Sequence, residues 1–457
     1  MLKVAFHNLG CKVNAYENER MIQMFVEKGH KIVAFDQKAD IYVINTCTVT
    51  NIADRKTRQM IHRVKKLNPD SIVAACGCYV ETNPEKAQSD SFIDLIIKNS
   101  EKERITEIVE DYLKEKFPDS SGKNSEREPA EYFHKGSEEP PCDTYRIKGG
   151  LYEHTRAYIK IQDGCEQYCS YCIIPYARGR VTSRSHEEIL SEITSLSLKG
   201  CKEVVLTGIH LSSYGLDTPY NILSSDGSYT NTELIKLIKE AADINGIERI
   251  RLGSLEPRII TDTFLRELKG IDKFCPHFHI SLQSGSDTVL KRMNRHYTSS
   301  EYLDKVRLIR KYFVHPAITT DVITGFPGES EEEFNETRRF LEEADLYEVH
   351  VFKYSRRSGT VADKMEGQHT DKTKALRSNI LIEDGKIRAK AFRSYYKGRE
   401  TEVLFEEKQV IDGIEYFTGY NREYVKCAIK TDLDLENTIL RGKIKDMISD
   451  EVLVFFA

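Results

Sequence analysis

Residues 163–180 read DGCEQYCSYCIIPYARGR and follow the alternating run AYIKIQ at 157–162. Cys165, Cys169 and Cys172 fall within eight residues in a C-x3-C-x2-C spacing. Three thiolates so close can face one point only on a tight loop, and iron–sulfur clusters are held by such thiolates. A structural zinc site is the alternative, but it closes with four ligands, usually as two separated pairs. This loop offers three thiolates and no nearby histidine. Three ligands leave one metal atom open to a substrate or cofactor.

Outward from the loop, five more apolar runs follow: EVVLTG (203–208), RIRLGS (249–254), HFHISLQ (277–283), AITTDVITG (317–325) and EVHVFKYS (348–355). Amphipathic segments such as 187–198, 302–312 and 331–341 lie between most of them. Six successive strand–helix units predict a parallel, partial (β/α)6 barrel. In parallel barrels the chemistry sits at the carboxyl ends of the strands, and the unusual residues of this chain fall there. Thr207, Gly208, Ser254, Glu256, Gln283, Ser284 and Asp321 are the candidate cofactor-binding residues. Glycine permits close backbone approach, while Glu256, Gln283 and Ser284 supply hydrogen-bonding groups. Any one of them alone also reads as an ordinary turn or cap.

On the amino-terminal side, KVAFHN, KIVAF, IYVINT, SIVAAC and FIDLIIK read as strands, with helices over 14–28 and 53–66. Strands alternating with helices predict an open, mostly parallel α/β sheet over 1–113. Residues 114–150 are polar, with Pro, Gly and Ser, and read as a linker. The barrel domain is expected over 151–393. From 394 to 457 the runs TEVLFEE, YFTGY, YVKCAIK and DEVLVFFA predict a small antiparallel β-barrel. The class is α/β with this β-barrel appended.

Three further cysteines repeat one pattern. Cys11 follows KVAFHNLG, Cys47 follows IYVINT, and Cys78 follows SIVAACG, each just past the carboxyl end of an expected strand. Ligands bind at that edge of open α/β sheets, so Cys11, Cys47 and Cys78 read as a second metal site. Cys76 lies two residues before Cys78 and points the other way in an extended chain; Cys78 is taken as the ligand because Gly77 frees the turn. Cys142, Cys201, Cys275 and Cys427 are isolated and read as unligated thiols.

The C-x3-C-x2-C loop with Tyr171 before its third cysteine resembles the radical S-adenosylmethionine superfamily. Together with LGCKVN, NTCTVT, GCYVE and the terminal barrel, the chain resembles the methylthiotransferases across nearly its whole length. The resemblance implies a methylthiotransferase domain, a radical barrel and a TRAM domain. It also implies two [4Fe–4S] clusters, on Cys165, Cys169 and Cys172 and on Cys11, Cys47 and Cys78, with S-adenosylmethionine on the open iron of the first. A radical then removes hydrogen from an unactivated C–H, and a methylthio group is delivered to that carbon.

Within that family Cys11-Lys12-Val13-Asn14 and Asn45-Thr46-Cys47-Thr48 resemble the branch that acts on threonylcarbamoyladenosine in the tRNA anticodon stem-loop. The other family substrates are isopentenyladenosine in tRNA and an aspartate of a ribosomal protein. An electron donor and a sulfur donor are also implied. A formal charge of −5 gives no global signature of nucleic-acid binding. Local cations are Arg55, Lys56, Arg58, Arg63, Lys65 and Lys66, then Arg178, Arg180 and Arg184; such patches can track phosphates, and the first group reads equally as a solvated helix face. Eleven cysteines at uneven spacing, no long apolar run and no signal-peptide pattern predict a cytoplasmic protein without membrane contact. A non-catalytic iron–sulfur RNA-binding or redox-sensing protein is the reading from another class; it requires that no S-adenosylmethionine be cleaved.

Overall fold

The computed structural model describes residues 1–116, 155–217 and 231–456. The expected linker from residue 117, residues 151–154 of the expected barrel domain, and Cys142 lie outside them. The chain divides into two compact units, one of Met1–Leu9, Glu17–Thr46 and Thr57–Glu153, the other of Gly10–Tyr16, Cys47–Lys56 and His154–Ala457.

The first unit carries a parallel sheet of β1 (Lys3–Asn8), β2 (Lys31–Val33), β3 (Ile41–Thr46), β4 (Ile72–Gly77) and β5 (Leu95–Ile97), in the order β2-β1-β3-β4-β5. Central β3 and β4 are buried along their whole length, which is why IYVINT and IVAACG are nearly continuous apolar runs rather than alternating ones. Val4, Met21, Phe25, Val43 and Cys76 form one core, and Tyr42, Ile44, Ile61, Val73 and Tyr79 the other. The helices run Lys12–Glu27 and Asn51–Leu67.

In the second unit β6 (Arg156–Asp163), β7 (Thr182–Ser183), β8 (Glu203–Gly208) and β9 (Arg249–Leu252) form one sheet, ordered β7-β6-β8-β9. A second contains β10 (Ser254–Leu255), β11 (His277–Ile280), β12 (Ala317–Thr324) and β13 (Glu348–Lys353) in chain order. All pairings are parallel except β6 with β7. RIRLGS, expected as one strand, is two. Gly253 donates its N–H to the Leu206 carbonyl at 2.8 Å, and Ser254 then pairs with β11 instead of β8. The expected partial barrel is therefore built from two four-stranded sheets, and an isolated parallel bridge joins Ile250 of β9 to Phe274, just before β11.

Along β6 the residues alternate. Ala157, Ile159 and Ile161 are buried, whereas Arg156, Tyr158 and Lys160 share the opposite face. Arg156 pairs in register with Glu203 and that with Arg249; Tyr158 pairs with Val205 and that with Arg251. Helices return between strands, and several start on side-chain caps. Thr298 with Glu301 and Ser330 with Glu333 form reciprocal capping boxes, each cap contributing about 1 kcal/mol.

A 24-residue helix, Asp371–Ser394, was not anticipated. It lacks a continuous apolar stripe and is tied down by ions instead: Arg377 to Glu329 at 2.6 Å and Arg393 to Glu348 at 2.7 Å.

The carboxyl-terminal strands β14 (Glu400–Ile411), β15 (Ile414–Asn421), β16 (Lys426–Ile429), β17 (Thr438–Ser449) and β18 (Val452–Phe456) close into a barrel in the order β14-β15-β16-β18-β17. Its pairings are antiparallel except β16 with β18, which is parallel. Strand β17 was missed because TILRGKIKDMIS interleaves charges with few apolar residues. Phe405, Phe417, Cys427, Leu453 and Phe455 fill the interior.

This small barrel seals the amino ends of β6, β8 and β9. Arg249 donates to the Tyr420 carbonyl at 2.8 Å and meets the Glu402 carboxylate at 3.0 Å. Arg251 donates to the Asn421 carbonyl at 2.8 Å and to Glu203 at 2.7 Å. Burial pushes the Glu203 carboxyl up, but Arg251, Arg156 and Arg249 overcome it and hold it below its ordinary value.

Candidate active site

The three-cysteine loop begins where β6 ends. Gly164 has φ +71°, and a Cβ there would come within 1.8 Å of the Arg180 carbonyl oxygen, so the turn requires glycine. The Cys165 N–H donates to the Gly179 carbonyl at 3.1 Å, and the Cys172 N–H to the Cys169 carbonyl at 2.9 Å. Ser170 anchors the middle: its N–H donates to the Met293 carbonyl at 3.0 Å and its hydroxyl to the Arg292 carbonyl at 2.8 Å. Tyr168 adopts the left-handed region at φ 46°, and Asn294 donates to its carbonyl at 3.0 Å.

Arg295 donates to the Cys169 sulfur at 3.2 Å. Tyr297, itself bonded to Arg295 at 2.9 Å, holds the guanidinium in place. Burial pushes the Cys165 thiol up to about 11 and the Cys172 thiol up to about 12. A bound cation reverses that order by deprotonating coordinating thiols outright. Three thiols on a pinned loop beside a fixed guanidinium suit a cluster that takes three protein ligands.

Around the loop, the strand ends supply polar groups. Thr207 is buried on β8, and Gly208 leaves room for Gln162, whose Oε1 would lie 2.7 Å from a Cβ there. Glu256 is buried; its N–H donates to Ser212 and its Oε1 accepts from Arg258 at 2.8 Å. Its Oε2 is buried without a hydrogen-bond partner among the described residues, as is Nε2 of His210. Buried polar atoms are rarely left unmatched, so these two supply the hydrogen-bonding capacity that a polar cofactor such as S-adenosylmethionine would fill. His210 is held neutral, pushed down to about 3 by burial and by Arg295 and Arg258.

The other expected residues are dispersed. Gln283 takes φ 72° and extends the β11 ladder onto β12, its N–H donating to the Asp321 carbonyl at 2.8 Å. Ser284 faces inward, its hydroxyl 3.1 Å from Thr337 beneath the rim. Ser254 Oγ meets Ser281 Oγ at 3.0 Å. Asp321 lies within β12, not past its end, 3.2 Å from His279 and 3.3 Å from His350. Thr319 holds the other ring nitrogen of His279 at 2.9 Å. Arg295, His210 and Arg258 were not singled out from the sequence; Arg295 and His210 sit on loops and Arg258 in the short 3-10 helix Pro257–Ile259, and nothing local in the sequence marks their approach to the cysteines.

Of the remaining cysteines, Cys76 is packed in the core, its sulfur 4.0 Å from that of Met21. Cys78 is the first residue of the helix Cys78–Thr82. Gly77 before it has φ +96° and touches the neighbouring strand so closely that a Cβ would lie 2.4 Å from the Thr46 carbonyl oxygen. Gly10, beside Cys11, would bring a Cβ within 3.2 Å of Cys47 Cβ.

The segments bearing Cys11 and Cys47 are tied to the second unit's loops. Arg178 donates to Asn14 at 2.6 Å and pairs with Asp163 at 3.2 Å. Arg357 donates to Thr48, to Asn51 at 2.8 Å, and pairs with Asp54 at 2.8 Å. Lys12 extends over the Tyr158 ring, 5.9 Å from its centroid.

The expected basic patches need correction. Arg178 is buried in its ion pair, Arg184 is engaged by Glu192 at 2.8 Å, and Lys65 by Asp94 at 2.6 Å. Arg55, Lys56, Arg58, Arg63 and Lys66 stay exposed along one helix.

Residues 159–341 match the Radical SAM superfamily, and residues 3–98 match the Uncharacterized protein family UPF0004. The Threonylcarbamoyladenosine tRNA methylthiotransferase MtaB of Bacillus subtilis (strain 168) is 39% identical over 97% of this chain and 94% of its own. The chain belongs to the radical SAM methylthiotransferase family. This methylthiotransferase is also 39% identical to the MtaB of Aquifex aeolicus, over 93% of this chain and 98% of the relative. A tRNA-2-methylthio-N(6)-dimethylallyladenosine synthase of Acetivibrio thermocellus is 30% identical over 96% of this chain and 87% of the relative. Among solved structures, a radical S-adenosylmethionine methyltransferase, TsrM, from Kitasatospora setae shares the fold. Its TM-score is 0.53 at 17% identity, covering 79% of this chain and 73% of that one. Family membership brings S-adenosylmethionine and a [4Fe–4S] cluster to this methylthiotransferase. No helix among the described residues is long and apolar enough to cross a membrane.

Proposed function

We propose that this enzyme adds a methylthio group to carbon 2 of threonylcarbamoyladenosine beside the tRNA anticodon. The observation that carries the reading is the 39% identity, over 97% of the chain, to a relative named for that nucleoside. Dimethylallyladenosine in tRNA is the second reading, favoured by the relative at 30% identity.

Cys165, Cys169 and Cys172 would hold the radical cluster. Bound there with S-adenosylmethionine, the cluster supplies the one-electron chemistry that an unactivated C–H demands. Arg295 keeps a positive charge against Cys169, and the Ser170 anchors hold the loop in one shape. Glu256, with its free Oε2, and neutral His210 offer S-adenosylmethionine an acceptor and a ring nitrogen. Thr207 and Gly208, at the end of β8, would be the next contacts for the cofactor, while Ser254, Gln283, Ser284 and Asp321, dispersed around the barrel, would act from further away.

Cys11, Cys47 and Cys78 would hold a second [4Fe–4S] cluster. Their fit rests on the strand ends they follow, on Gly77, whose backbone approach to Thr46 no Cβ would permit, and on Gly10, whose positive φ and close Cys47 favour glycine. Electron and sulfur donors are required by the chemistry. The division 1–113, 114–150, 151–393 and 394–457 assigns the second cluster, the linker, the radical cluster and an RNA-binding barrel in turn.

The test is nucleoside mass spectrometry of tRNA from cells with and without the gene. Loss of 2-methylthio-threonylcarbamoyladenosine on deletion is expected. Its persistence, with no redundant enzyme, rejects the assignment, and loss of the dimethylallyl product selects the second reading.

A further inference from the structure

We propose that Lys12 is the cationic contact for the carboxylate of the substrate's amino-acid arm, an inference that rests on the substrate reading above. Lys12 follows Cys11 directly and crosses the ring of Tyr158, on the Arg156–Tyr158–Lys160 face of β6. Arg156 and Arg251 lie near enough to repel its ammonium, and Asp321 and Cys11 near enough to attract it. Arg156, Arg251 and Asp321 already have partners: Arg156 the Glu406 carboxylate at 3.2 Å, Arg251 the Glu203 carboxylate at 2.7 Å, and Asp321 two histidines. Among the described residues the Lys12 ammonium has no hydrogen bond and no ion pair, only the Tyr158 ring. Its side chain is exposed along part of its length, while the protein crowds the ammonium end.

A cation set among other cations, resting on an aromatic face and lacking an anion, has unused capacity for one. The threonylcarbamoyl arm ends in a carboxylate. The dimethylallyl arm, named for the second group of relatives, is a hydrocarbon and has nothing for an ammonium to bind. Lys12 thereby distinguishes the two nucleosides by charge, one residue from a proposed cluster ligand.

A backbone phosphate of the tRNA is the other anion that RNA offers, and the test separates the two. Full-length wild type, Lys12→Gln and Lys12→Arg would be titrated anaerobically with one tRNA in two forms, carrying threonylcarbamoyladenosine or the unmodified adenosine. Circular dichroism and melting would check folding. Wild type is expected to prefer the modified form, and Lys12→Gln to lose roughly tenfold or more of that preference, the size of a charge-assisted hydrogen bond. Lys12→Arg should keep most of it, and binding of the unmodified tRNA should not change. Equal weakening toward both tRNAs assigns Lys12 to a phosphate and overturns the proposal, as does an undiminished preference. A wild type that methylthiolates only dimethylallyladenosine overturns the substrate reading instead, and the inference with it.

Discussion

The guanidinium of Arg295 lies 3.2 Å from the sulfur of Cys169, the middle cysteine of the loop. A fixed positive charge beside a cluster ligand favours the more negative, reduced state. Arg295→Leu is therefore expected to lower the midpoint potential of the loaded protein, on the order of 100 mV for a unit charge a few ångströms away in a protein-like dielectric. Arg295→Lys should recover most of the shift. An EPR-monitored redox titration reads it, and an unchanged potential in Arg295→Leu contradicts the role.

The two cysteine sets should separate in function. Cys165→Ala is expected to abolish reductive cleavage of S-adenosylmethionine while keeping about half the iron, since the proposed second [4Fe–4S] site would stay filled. Cys11→Ala should retain cleavage and lose methylthio transfer. Iron analysis together with assays for 5′-deoxyadenosine and for modified nucleoside distinguishes these outcomes.

Arg357 holds the segment after Cys47 through Thr48, Asn51 and Asp54. Arg357 is 6% exposed at its side chain and Asp54 16%, so truncation strands a carboxylate with little water. Arg357→Ala should destabilise the fold by about 3 kcal/mol. Adding Asp54→Asn should recover part of that loss in a denaturation series.

The His279–Asp321–His350 group predicts a pH dependence. Asp321 and Glu348 raise the His350 imidazole to about 9, while burial pushes Asp321 up but its two histidines hold it well below the usual carboxylate range. The histidine's contribution is complete below its unfolded value near 6.5 and is lost as pH rises through about 9. The aspartate's contribution is present above about 3.8 and lost as pH falls below it. His350→Gln should flatten the melting temperature between about pH 6.5 and 9. NMR titration of His350 with a midpoint near 6.5 would contradict this.

Much of this was readable because the signals were local. The buried runs of β3 and β4 announce a parallel sheet, and C-x3-C-x2-C announces a loop that binds metal. The helix Asp371–Ser394 was not readable, because its partners Glu329 and Glu348 lie on other elements and no apolar stripe marks it. Arg295 was hidden for the same reason: only the return of the chain after β11 brings it to Cys169. Arg178 misled in the opposite direction. A row of arginines after a cluster loop suggests phosphates, yet Asp163 and Asn14 had already claimed this one.

The carboxyl-terminal barrel capping the amino ends of β6, β8 and β9 has a consequence for traffic. With Arg249 and Arg251 locked beneath Tyr420 and Asn421, that half of the radical barrel is a blind alley. A ligand bound near the cysteine loop therefore has no way in past Arg249 and Arg251.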